Sequence, residues 1–131
     1  EKDIFGDTGD RCLDLAVNLP ALGHCFDFSN FVQCDEDTLE CWNKLRDYVV
    51  YFDVKDAIAG SGVVVPAGEG DGRLVEIFSD AISSGYDDRF NLEPHLSAGG
   101  QFGGSTSPQL FEVAVNALNK VLVEASAGTS E

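Results

Sequence analysis

The chain has no methionine, one tryptophan, four prolines and only eight lysines and arginines against 23 aspartates and glutamates in 131 residues. The scarcity of basic side chains excludes the most. A formal net charge of -15 leaves no basic patch able to offset repulsion from a phosphate backbone, so nucleic acid is not expected as a partner. No apolar run approaches the roughly twenty residues needed to span a bilayer. No basic segment leads into an apolar one as in a secretory leader, and a membrane is not expected as a partner either. Cys12, Cys25, Cys34 and Cys41 form no CxxC pair and no knot-like spacing. They are expected as reduced thiols, buried or half-buried, in a cytoplasmic protein, rather than as zinc ligands or disulfides. The lack of any methionine, the initiator included, suggests a processed or excised segment.

What is present is a folded acidic domain. Acids are dispersed among apolar residues that make up 44% of the chain, unlike a solvated acidic tail. The length suffices for a real core but is short for a complete eight-stranded barrel. Asp7 and Thr8 are N-cap types ahead of a helix carrying Cys12, Leu13, Ala16 and Val17, which Pro20 closes. Leu22 to Phe28 reads as a buried strand and Ser29 to Asp37 as a loop. Thr38 caps a second helix with Leu39, Trp42, Leu45 and Tyr48 on one stripe. Val49 to Val54, β-branched and aromatic, is the clearest strand. Ala59 to Gly72 reads as a loop in which VVV could add a small hairpin strand. A third helix spans Arg73 to Ser84 and stops at Gly85. A third strand follows over Arg89 to Glu93, then a mobile Gly/Ser-rich loop from Ser97 to Ser107. Pro108 opens a long last helix. The domain is expected to occupy residues 1–124, with a disordered tail over 125–131.

The order α-βα-βα-βα asks for an α/β fold with three parallel strands and four helices. Strand alternation then sorts the side chains. Phe26, Phe28, Val50, Phe52, Val54, Phe90 and Leu92 share an apolar face suited to packing helices. Asp27 with Cys25, Asp53 with Tyr51 and Lys55, and Glu93 with Asn91 and Arg89 share the other. Each strand thus ends on a carboxylate, at the carboxyl ends where parallel sheets gather ligands. Asp27, Asp53 and Glu93 together suggest a cation or polyol site.

Three pieces, FDFSNFVQC, then VVYFDVKDA with VPAGEGDG after it, then LEPHL, resemble the sugar phosphate isomerase/epimerase family, the xylose isomerase-like TIM barrels. The resemblance runs over nearly the whole chain and implies the carboxyl-terminal part of such a barrel, its sixth to eighth strands. It implies a divalent metal (manganese, magnesium or zinc), either kept or lost in this chain, with Asp27 and Glu93 in the positions of the family's Asp and last Glu. Asp53 stands where a His is usual. The family's first Glu would belong to a strand ending just before Glu1. It further implies proton abstraction next to a carbonyl with Glu93 as a catalytic carboxylate, and a sugar or polyol substrate beside Asn30, Lys55 and Asp56. The missing Glu would remove half of the acid/base machinery. A homo-oligomer or a complementing amino-terminal half would cover the open edges of the sheet.

Read from the residues alone, Lys55 is either a substrate contact or the counter-ion of Asp53 and Asp56. Three carboxylates without a metal would raise at least one pKa. The glycines of AGEGDG suit either close approach by a ligand or plain turn chemistry, with no P-loop lysine following. His95, after the third strand, could reach the site. His24 is expected as a packed, hydrogen-bonded histidine, and no base is placed to activate Cys34 or Cys41. Two functions remain open: part of a metal-dependent sugar (phosphate) isomerase or epimerase, and a non-catalytic subunit or scaffold that keeps the fold without the chemistry.

Overall fold

The computed structural model describes residues 2–97 and 105–128. Its elements are α1 (Gly9–Asn18), β1 (His24–Asp27), α2 (Phe28–Gln33), α3 (Thr38–Leu45), a 3-10 turn (Arg46–Tyr48), β2 (Val49–Val54), β3 (Asp56–Ala57), β4 (Val64–Val65), α4 (Leu74–Ser83), β5 (Phe90–Leu92) and α5 (Pro108–Ala127). Strands β1, β2 and β5 form one sheet in the order β1-β2-β5. Both pairings are parallel, with Asp27 beside Asp53 and Asp53 beside Asn91. The chain is mixed α/β with the three parallel strands expected, and five α-helices among the described residues where four were expected.

The extra helix is α2. Asp27, the last residue of β1, has an extended backbone and its carboxylate accepts from the Asn30 N–H at 3.1 Å, which caps a helix starting at the next residue. Phe28 is therefore helical rather than the end of a strand, and the expected loop is half helix. Local capping fixes the other helix starts. Thr8 accepts from the Arg11 N–H, Asp37 (rather than Thr38) from Glu40, and Ser107 from Leu110, with Pro108 at the first turn. Helix α4 starts without a side-chain cap, behind Arg73 in a left-handed conformation at φ 57°. Residues Val64 and Val65 do form the small extra strand, antiparallel to Asp56 and Ala57. Helix α5 runs to Ala127 with Ala125 fully buried, beyond the expected end at residue 124. The remainder of the expected tail, 129–131, and most of the expected mobile loop, 98–104, lie outside the described residues.

The apolar sheet face builds the core. Phe26, Phe28, Phe52 and Phe78 are all fully buried. Phe52 stacks on Phe90 at 5.5 Å and Phe26 meets Trp42 edge-on at 5.6 Å. Each such side chain contributes about 1.5–3 kcal/mol through removal from water, and contacts at these offsets add a fraction more. Val50 departs from the expected pattern: it lies at the start of β2, is 46% exposed, and leans over Gly23 rather than into the core. With the core on one side, the residues of the opposite face are left to one another and to solvent.

Candidate functional site

Lysine 55, one residue past β2, is the centre of the polar face. Its Nζ lies 3.0 Å from Asp27 Oδ2 and 2.7 Å from Glu93 Oε2. Asp27 ends β1 and Glu93 follows β5, the two strands flanking β2, so the parallel register delivers one acid from each side. Lys55 is 8% exposed and Asp27 8%. An unpaired ammonium at such a depth would cost several kcal/mol, and two carboxylates oppose that cost. Burial draws the Lys55 pKa down, but the Asp27 charge and the bonds to Glu93 and Asp27 outweigh it and hold the group above the ordinary lysine value. Lys55 is thus the counter-ion of Asp27 and Glu93, not of Asp53 and Asp56.

Asp27 uses both oxygens internally, one on Lys55 and one on the Asn30 N–H. Its pKa is raised, as the crowding of carboxylates predicts, but the main cause is burial; the Lys55 charge opposes it and the Glu93 charge adds least. Glu93 is the outward member, with its side chain 37% exposed and Oε1 3.6 Å from His95 Nε2. His95 sits at φ 41°, a left-handed backbone that turns it back to Glu93.

Asp53 belongs to a separate network one step down the sheet. It accepts from Asn91 Nδ2 at 2.6 Å and from Cys25 Sγ at 3.2 Å. Burial pushes the Cys25 thiol up to about 12, with the Asp53 charge adding to it, so Cys25 stays protonated as a donor. The strand-end acids therefore divide two and one. Asn30 lies inside α2 and contributes its backbone N–H to the cluster.

Asp56 is fully buried and faces the glycine loop instead of the Lys55 cluster. Its carboxylate accepts from the N–H groups of Gly68 (3.0 Å), Gly70 (2.9 Å), Gly72 (2.9 Å) and Ala57 (2.9 Å). A Cβ at Gly70 would lie 2.5 Å from the Ala57 carbonyl and from Asp56 Oδ1. The glycines of AGEGDG are thus required for close approach, but to the chain's own carboxylate. The substrate contact expected of Asp56 has no exposed atom to make it.

His24 also differs from expectation: among the described residues its buried Nε2 has no hydrogen-bond partner, and burial lowers its pKa. A cleft of about 350 Å³ lined by Asp35, Glu36, Asp71 and Arg73 among others shares no residue with the Lys55 cluster. Sequence reasoning missed it because most of its walls come from loop residues without a periodic pattern, with Val32 of α2 and Thr38 of α3 beside them.

The divalent ion that the resemblance implies can be tested against this geometry. The space between Asp27 and Glu93 is taken by the Lys55 ammonium, and Asp53 is turned to Cys25 and Asn91. Among the described residues no group of three or more His, Cys, Asp and Glu side chains is placed to hold a metal. As arranged, these residues do not fit a divalent ion. What they offer chemically is a buried cation beside a partly exposed carboxylate. Among the described residues no helix is long and apolar enough to cross a membrane. No protein-family model, curated protein or solved structure matches the chain.

Proposed function

We propose that this chain is the carboxyl-terminal part of a sugar isomerase/epimerase barrel of the xylose isomerase-like kind, and that its polar strand ends bind a polyhydroxylated carbonyl compound. The observation that carries the reading is the pairing of a partly exposed Glu93 with the buried Lys55 ammonium at 2.7 Å, where parallel strands end. A base and a fixed cation side by side are what proton abstraction next to a carbonyl requires. Glu93 takes the proton from the carbon beside the carbonyl. The C–H electrons form the C=C bond, and the charge that develops on the carbonyl oxygen is met by a Lys55 N–H. The proton of the adjacent hydroxyl then moves to the former carbonyl oxygen, and Glu93 returns its proton to the former carbonyl carbon. Asp27 holds Lys55 in place throughout. His95 flanks the base, its Nε2 3.6 Å from the second oxygen of Glu93, and the exposed Asn91 is available to sugar hydroxyls beneath.

The reading as a scaffold that has lost the chemistry is favoured by one feature: both Asp27 oxygens, and both Asp53 oxygens, already have protein partners. Titration of ketoses and inososes into the labelled chain, followed by amide NMR, separates the two. Saturable shifts at Asn30, Lys55 and Glu93 that disappear in Glu93→Gln are expected for the sugar site. Shifts absent for every compound tested, with the chain folded, would leave the scaffold.

A further inference from the structure

The strongest unassigned feature is that the cluster already contains a cation. Two carboxylates from separate strands, 66 residues apart in sequence by their numbers, converge on one ammonium that is 8% exposed. Burial of this depth is rare for lysine unless it is paired. The pairing here is twofold, with one short contact at 2.7 Å and one at 3.0 Å. Asp27 spends its second oxygen on capping α2, so its orientation is set by the backbone and not by the lysine alone. The position between the acids is therefore built, and the chain's own side chain fills it.

We infer that Lys55 is the resident cation of this site, a covalently tethered ammonium in the position where a divalent ion would bridge Asp27 and Glu93. The chain is in consequence metal-independent at this site. A tethered ammonium differs from a divalent ion in three ways that matter chemically. It carries one charge instead of two and leaves the cluster anionic. It cannot be removed by a chelator. It donates directional hydrogen bonds, which select an oxygen placed along an N–H rather than any oxygen within a coordination sphere. The sugar-binding reading is used only for what that N–H would meet; the cation assignment is tested without any sugar.

The test is titration of manganese(II) into the full chain and into Lys55→Met, read by calorimetry and by paramagnetic broadening of NMR signals. Wild type is expected to show no saturable, site-selective broadening of Lys55, Asp27 and Glu93. Lys55→Met leaves the two acids without their cation and is expected to bind manganese at least tenfold more tightly than wild type, with the gain abolished by adding Glu93→Gln. A folded Lys55→Met with no gain would overturn the inference. Saturable sub-millimolar broadening at Lys55 in wild type would overturn it too, because the ion would then displace the ammonium. That second measurement needs no variant, so it decides the matter even where Lys55→Met fails to fold. Absence of sugar-induced shifts in the titration proposed for the sugar site, together with no manganese binding by wild type here, would sink the sugar reading and leave the resident cation intact.

Discussion

Replacing Asp56 by Asn tests the glycine-loop cradle with almost no change of shape. In the structure Oδ2 accepts from Gly68 and Gly70, and Oδ1 from Gly72 and Ala57. An asparagine keeps one accepting oxygen and turns the other into an NH2 group, so two N–H groups lose their acceptor and face a donor. Leaving a buried donor unsatisfied costs about 1–3 kcal/mol each, which gives roughly 2–6 kcal/mol. Part is offset, since burial already pushes the Asp56 carboxyl up against the pull of its N–H bonds, and the amide carries no charge to bury. A net loss of about 2–3 kcal/mol is expected. With a urea m-value of about 1.5–2 kcal/mol/M for a domain of this size, the midpoint should fall by more than about 1 M. Amide exchange should accelerate at Gly68, Gly70 and Gly72 before it does in the sheet. A midpoint within about 0.3 M of wild type, which is roughly 0.5 kcal/mol, would mean that the four bonds do not hold the loop and that the argument from counted donors fails.

Two further expectations follow from the same physics. Gly70→Ala places a Cβ 2.5 Å from the Ala57 carbonyl and Asp56 Oδ1, whereas Gly60→Ala, at φ +74°, meets nothing within 4 Å. The first should cost about 3 kcal/mol, the upper end of the overpacking range, because the atoms it meets are a backbone carbonyl and a buried carboxylate that have no room to yield; the second carries only the left-handed backbone penalty of about 1–2 kcal/mol, and equal losses in urea denaturation would contradict the cradle. The Cys41 thiol is 1% exposed, and burial, with the Glu36 carboxylate beside it, pushes it up from 9.0 to about 12. The unfolded chain therefore loses this proton from about pH 9 while the native chain keeps it to about pH 12. Stability present below pH 9 should fall across that window by about 1.4 kcal/mol per pH unit for this thiol. Cys25, shifted alike, adds a second proton. Denaturation midpoints between pH 8 and 11 should decline less steeply in Cys41→Ala; an unchanged slope would show that Cys41 titrates alike in both states.

The strand pattern decided much of this protein before any tertiary contact. Period-two alternation separates Phe26, Phe52 and Phe90 from Cys25, Asp53 and Asn91, and burial of the first set against helices requires the second set to face the other way. Thr8, Ser107 and Pro108 mark helix starts by interactions spanning three or four residues, which local sequence carries in full. Ser29 to Gln33 shows no such mark in the sequence because the cap of α2 is Asp27, which is at once the last residue of β1 and a partner of Lys55. What only the tertiary structure decided is partner choice. Lys55 had acids at positions 53 and 56 in sequence, yet it bonds Asp27 and Glu93: alternation sends Asp56 to the other face, Asp53 on the same face is engaged by Cys25 and Asn91, and register with β1 and β5 brings the distant carboxylates to the ammonium. Asp56, thrown to the other face by that alternation, meets the backbone of a loop up to 16 residues away, and its glycines answer to the carboxylate they enclose. Charge and residue type were legible in the sequence; which charge neutralises which depended on the register of the sheet.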